Sequence, residues 1–362
     1  MMQIMKYFKY IQCLFLILLI SCNVGTKRVE WHNVITLSND TLAVPEYVLV
    51  GDTLLYDALW PTGIMAVDNY ILIAQHKEKE LIHVYNLEDT TKLGSFLQQG
   101  GGPNEVNLWN GFNQVWKENG EIKLLVQSYP QFVATLNLNQ SLKKGKAVFD
   151  ERFSFVSDSA IAIMARSNVV YKIGDRFLMN RAPDRIKGLE NYNASYQWFD
   201  YAEDSPGDVV YVMDQPLYPH PQLYMNGGIT YNPVKGKICS ACRFMNLFYI
   251  FDVKTNQSVQ IVPNNEETDL DTYVNAKKDN IYFQRVVSTD EYIYLATYGG
   301  LSQSEIEGKG IKVEVYDWDG KHICCLLLPD NIYYMTVKPD NTMLYVTLPD
   351  GGMKSYRLPD FQ

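Results

Sequence analysis

The chain is poor in the residues and spacings that announce chemistry, and each shortage removes a class of function. Six cysteines in 362 residues are too few for a disulfide framework. The five histidines (His32, His76, His83, His220, His322) never fall as HxH or HxxxH, so metal-ligand spacing is absent and no metal or other cofactor is expected. No Gly-x-Ser-x-Gly elbow supports a serine hydrolase. The acidic run Glu266–Asp271 lacks the glycine-spaced pattern of a calcium loop and reads as a solvated connection. No lysine/arginine cluster interrupts a chain of net charge −9, which argues against nucleic acid, whose phosphates need cations. Helical periodicity is nearly missing. The apolar stretch Ile11–Ile20 is too short to span a bilayer, which takes roughly 20 residues.

That short stretch has another use. Lys6 and Lys9 precede it, and Leu19-Ile20-Ser21-Cys22 follows, a small residue directly before cysteine. The arrangement resembles a bacterial lipobox, which implies cleavage before Cys22 and acylation of its sulfur and new amino group. Two or more acyl chains anchor stably where one is marginal. Residues 1–21 are read as a lipoprotein signal peptide, 22–29 as a tether and 30–362 as one domain. Asn23 stands where an aspartate would retain a lipoprotein in the inner membrane, so the expected location is the outer membrane, facing the periplasm. The partner implied is the membrane, through lipid on Cys22.

Tyrosine is abundant: 26 residues, beside 15 Phe and 6 Trp, a composition that suits pleated half-buried surfaces. A phrase recurs in which a short apolar strand ends in an aromatic followed by Asp or Asn. It occurs at Ile82–Asn86, Phe132–Asn137 (with Leu136 for the aromatic), Tyr196–Asp200, Phe248–Asp252 and Val313–Asp317, with a weaker copy at Met353–Tyr356. The copies lie roughly 40 to 65 residues apart, the period of propeller blades. Two strands joined by turn chemistry precede several copies (Ala66–Ile73, Val287–Leu295, Val337–Tyr345), and another strand follows (Lys92–Phe96, His322–Leu327). The fold class is therefore all-β: a six-bladed propeller with four antiparallel strands per blade. Seven blades or a decorated sandwich are the competing readings. The sixth unit ends without an outer strand, and the alternating segment Glu30–Leu37 is expected to close the ring as an N-terminal strand.

Between the first and second units lies Gln99-Gly100-Gly101-Gly102-Pro103-Asn104-Glu105. Gly100, Gly102, Pro103 and Glu105 are similar to the Gly-x-Gly-Pro-Gly-Glu loop of uncharacterised six-bladed propeller lipoproteins of Gram-negative bacteria, related to TolB-like propellers. Asn104 replaces a glycine there, as the residue that best tolerates positive φ. The resemblance implies a fold and a compartment, and no reaction. A phosphate-binding reading of the loop fails because no helix follows it.

Cys239 and Cys242 have CxxC spacing inside a predicted strand, Lys237–Phe244, where residues three apart face opposite ways. They and Cys324-Cys325 are expected to be buried free thiols. Ligands of propellers usually seat where the loops between blades and the inner strands converge on the central channel. The candidates there are Arg166 and Arg285 on predicted inner strands, Glu105 before the second inner strand, and His220 and Tyr224 before the fourth. Two arginines can clamp a carboxylate or phosphate, or pair with Glu105 or another acid as internal staples. No catalytic residue is assigned. A binding module for a peptide, glycan or protein leads; a glycan hydrolase or lyase using channel carboxylates is the alternative, and a purely structural envelope component a third. A mouth lined by arginine, tyrosine and backbone groups would favour binding. Clustered carboxylates with a histidine would favour the enzyme.

Overall fold

The computed structural model describes residues 27–28, 30–36, 44–54, 56, 60–102, 104–109, 111–129, 131–165, 167–181, 195–211, 226–263 and 280–361. They form six antiparallel sheets arranged as the blades of a propeller. From axis to rim, blade 1 runs Pro61–Val67, Tyr70–Gln75, Glu80–Asn86, Lys92–Gln99, and blade 2 Val115–Glu118, Glu121–Ser128, Phe132–Asn137, Phe149–Ser154. Blade 3 is Ser167–Ile173, Arg176–Arg181, Ser195–Asp200, Ser205–Tyr211; blade 4 is Asn226–Asn232, Lys237–Cys242, Phe248–Asp252, Gln257–Val262. Blade 5 is Asn280–Ser288, Tyr292–Ser302, Ile311–Asp317, His322–Leu328. Blade 6 takes Tyr334–Val337, Met343–Thr347 and Met353–Arg357 from the C-terminal end and its outer strand from Gly51–Leu54.

Every copy of the recurring phrase is a third strand, and its two conserved features of pattern have separate physical causes. The aromatic or apolar residue (Tyr85, Leu136, Phe199, Phe251, Tyr316, Tyr356) is fully or almost fully buried between blades. The Asp or Asn after it caps the turn into the fourth strand: Asp252 Oδ1 accepts from the amides of Lys254 and Thr255 at 2.8 and 2.9 Å. Asp317 does the same for Asp319 and Lys321, Asp200 for Ala202, and Asn86 for Glu88. In blade 2, Asn137 instead caps a helix, Leu138–Lys144, closed by Gly145 in the left-handed conformation.

The ring is closed by an N-terminal strand, as expected, but by a different segment. Gly51–Leu54 pairs antiparallel with Met353–Tyr356 and completes blade 6. The expected closing segment, Glu30–Thr36, lies parallel on the outer strand of blade 4. Alternation marks a half-buried strand but fixes neither its partner nor its direction, so the longer alternating segment need not be the one that closes the ring. The N-terminal strands ahead of Gly51 act as a strap: Lys27–Arg28 edges blade 3, Glu30–Thr36 blade 4 and Glu46–Val48 blade 5, all parallel, before Gly51–Leu54 closes the ring. Outer edges that would offer unpaired backbone groups are thereby covered. Among the described residues no helix is long and apolar enough to cross a membrane.

Candidate functional site

The inner strands surround a channel with two unlike mouths. One is ringed by the turns of the first hairpins, the other by the loops that lead into the inner strands.

At the hairpin mouth the channel widens into a cavity of about 1090 Å³. Its walls mix apolar residues (Ile64, Val115, Ile229, Val287) with polar and charged ones (Lys117, Glu118, Thr230, Asp290). The inner strands are tied from blade to blade: Ala66 N donates to Thr336 Oγ1 at 2.9 Å, Thr230 and Ser288 share a hydroxyl bond of 2.8 Å, and Asn232 Nδ2 donates to the carbonyl of Asp290 at 3.1 Å. Gln114 exchanges two bonds with the backbone of Lys172. Two of the acids on this rim are engaged with cations: Asp68 meets Lys117 at 2.6 Å, and Glu151 pairs with Lys172. No histidine lines this mouth among the described residues. A carboxylate pair with a histidine, the constellation that would favour a hydrolase, is therefore not assembled here by the described residues.

The loop mouth is built around Arg285, on the inner strand of blade 5. Its Nε donates to the carbonyl of Tyr333 at 2.7 Å, and its Nη1 to the carbonyl of Gln284 at 3.0 Å. The guanidinium lies over the Tyr334 ring, 4.5 Å from its centre. The neighbouring Gln284 donates to the carbonyl of Ile332 at 3.3 Å, so two consecutive side chains latch blade 5 to the start of blade 6. Arg243 joins them from the turn between the second and third strands of blade 4. Its carbonyl accepts from Tyr282 N at 2.8 Å, and its guanidinium stands 5.7 Å from the centre of the Phe244 ring. Burial lowers the pKa of Arg285; Tyr334 opposes it, and the like charge of Arg243 adds a smaller lowering influence. Tyr298, whose hydroxyl donates to Asn331 Oδ1, has its pKa pushed up to about 12 by burial, with both arginines opposing. Among the described residues neither guanidinium has a carboxylate partner. Tyr333, 48 % exposed, presents its ring to solvent beside them.

Of the sequence candidates, Arg285 is thus on an inner strand at the loop mouth, as expected. Glu105 sits in blade 1 and is occupied locally. Its carboxylate accepts from Gly102 N at 2.8 Å while its own amide donates to Gly102 O at 3.1 Å, and Glu105–Val106 adds a short parallel edge to the blade. The loop is shaped by this clasp: Asn104 is not at positive φ, contrary to the expectation that it stands in for glycine on that ground. Glu105 and Arg285 are not brought together as a staple; Arg285 uses backbone carbonyls instead. Arg166, His220, Tyr224, Cys22 and the acidic run Glu266–Asp271 lie outside the described residues. Arg243 is not legible in the sequence, because a lone arginine after a CxxC strand carries no pattern of its own.

The four cysteines Cys239, Cys242, Cys324 and Cys325 are free and buried. Cys239 packs between blades 4 and 5 and Cys242 between blades 3 and 4, as strand alternation requires, and burial pushes the Cys242, Cys324 and Cys325 thiols up to about 12. Such thiols are poor nucleophiles. Among the described residues no group of three or more His, Cys, Asp or Glu is placed to hold a metal ion.

No family profile and no curated protein matches the chain. Solved structures do. A member of the DUF4221 family from Bacteroides vulgatus aligns with TM-score 0.53 and 12 % identity over 86 % of this chain and 97 % of its own. A protein of Bacteroides fragilis named as a candidate exported protein aligns at 0.52 and 12 %, over 90 % of this chain and all of its own. Raptor of Chaetomium thermophilum aligns at 0.50 and 12 %, over 86 % of this chain but only 29 % of its own. Identities this low establish a shared propeller fold alone. With 1067 solved chains matching, the fold by itself selects no function.

Proposed function

We propose that this chain is an exported, lipid-anchored binding module whose ligand seats at the loop mouth, on Arg285, Arg243 and the tyrosines around them. One observation carries the reading: the guanidinium of Arg285 is held by backbone carbonyls and the Tyr334 ring, with Arg243 as a neighbouring cation and no carboxylate partner for either among the described residues. A charge is not normally taken partly out of water and left without a counter-ion, so a site of this kind is complete only when something anionic arrives. Its lining of arginine, tyrosine and backbone groups suits recognition rather than bond cleavage. Export is supported by the leader and by the name given to the Bacteroides fragilis neighbour; lipid anchoring is supported by the lipobox-like Leu19–Cys22.

The test is an array of cell-envelope glycan fragments and peptides, probed with the wild-type domain, Arg285→Gln, Tyr333→Ala and, at the other mouth, Val287→Trp. Ligands retained by Val287→Trp and lost by the first two variants support the reading. Ligands lost only by Val287→Trp, or fragments cleaved on incubation as seen by mass spectrometry, contradict it.

A further inference from the structure

We propose that the loop mouth is a carboxylate-recognition site, taking a ligand that carries a carboxylate on a sugar or other ring. The inference rests on the reading of this mouth as the binding site and adds the chemistry of what it binds.

The donors of Arg285 can be counted. A guanidinium has five N–H groups in a rigid planar fork. The Nε hydrogen is committed to Tyr333 O and one Nη1 hydrogen to Gln284 O. One hydrogen on Nη1 and two on Nη2 remain; with the Tyr334 side chain also bonded to the guanidinium, two of them are left for the two oxygens of a planar carboxylate. The side chain is held at three points (two carbonyls and the Tyr334 ring), so little ordering is left for the ligand to supply.

A phosphate fits this setting less well. Phosphate sites gather backbone N–H groups at a helix N-terminus or nest. Here the backbone groups that touch the Gln284 and Arg285 side chains are the carbonyls of Gln284, Ile332 and Tyr333, which are acceptors. A half-buried, tyrosine-rich mouth also charges a dianion more for leaving water than a monoanion. The like charge of Arg243 bears on Arg285, and a carboxylate bound at the fork relieves that repulsion. Beside them the half-exposed Tyr333 ring, tilted at 5.3 Å against Tyr334, offers a flat apolar face for whatever bears the carboxylate.

The experiment is calorimetric titration of the wild-type domain with glucuronate and benzoate, with their neutral amides, and with inorganic phosphate, repeated on Arg285→Gln, Arg285→Lys and Arg243→Gln. Melting temperatures establish that each variant is folded. At least one carboxylate is expected to bind and its amide not to, with affinity falling tenfold or more in both glutamine variants. Arg285→Lys keeps the charge but loses the fork, and is expected to weaken the carboxylate nearly as much. Phosphate binding without carboxylate binding overturns the carboxylate assignment and leaves the mouth as the binding site. Carboxylate binding that survives all three variants overturns both. If no probe binds at millimolar concentration, the carboxylate assignment falls, while the array above decides the binding reading separately.

Discussion

The guanidinium of Arg285 rests 4.5 Å from the centre of the Tyr334 ring while its Nε donates to the carbonyl of Tyr333, one residue earlier. A single side chain on the inner strand of blade 5 thus reads both the backbone and a ring at the start of blade 6. Among the described residues, the groups that hold the charge at the channel rim are backbone carbonyls and a ring, with no carboxylate. This separates Arg285 from cations at the other mouth such as Lys117, which pairs with Asp68. The proposed ligand site rests on that difference.

The rigidity of this mouth depends on how closely blades 4 and 5 approach. A Cβ added at Gly227 would stand 2.3 Å from the carbonyl oxygen of Phe283, a backbone atom that cannot swing aside. Gly227→Ala is therefore expected to destabilise the domain by about 2–3 kcal/mol, through overpacking of two inner strands. Urea unfolding measures it. A midpoint within error of wild type would mean the blades yield more readily than their packing indicates.

His322 gives the fold a pH dependence. It is buried and stacks on Tyr316 with ring centres 4.6 Å apart, and burial lowers its pKa from 6.5 to about 4. The folded chain keeps the ring neutral where the unfolded chain protonates it. Its contribution is complete above pH 6.5 and is lost progressively as pH falls toward 4, by at most about 3 kcal/mol. His322→Phe is expected to flatten that part of the curve. Parallel stability curves for the two proteins between pH 4 and 7 would contradict the assignment.

The strap separates two roles that lie in one stretch of sequence. Removing residues 1–43 takes away the edge strands on blades 3 and 4 but leaves Gly51–Leu54, and the domain is expected to unfold cooperatively, with a lowered midpoint. Removing residues 1–55 opens blade 6 and is expected to abolish the cooperative transition. Equal behaviour of the two truncations would show that closure does not depend on Gly51–Leu54.

Much of this architecture is legible in the sequence because the same physical need recurs. Each third strand needs a buried side chain and a turn cap, so Phe251-Asp252 and Tyr316-Asp317 announce themselves. Closure is legible as a requirement, but not its agent. Gly51–Leu54 is short and polar, whereas Glu30–Thr36 alternates well and pairs elsewhere. The helix Leu138–Lys144 is masked by the strand before it, although Asn137 and Gly145 bracket it. At the site, Arg285 is visible as a polar residue on an apolar strand. Arg243 is not, since its place beside Arg285 is created only when blade 4 packs on blade 5.

Lipid anchoring makes a separate claim. Cys22→Ser is expected to move the protein from the membrane to the soluble fraction in cells and to abolish incorporation of labelled fatty acid. Continued membrane association of the serine variant would remove the anchor from the account.

The most direct measurement is an experimental structure of residues 23–362 in complex with the tightest ligand from the envelope array. The account predicts an anionic group of the ligand within hydrogen-bond distance of Arg285 Nη1 or Nη2, with Arg243 beside it. A ligand seated in the cavity at the hairpin mouth, or a carboxylate of the chain itself lying across Arg285 and Arg243, would contradict it.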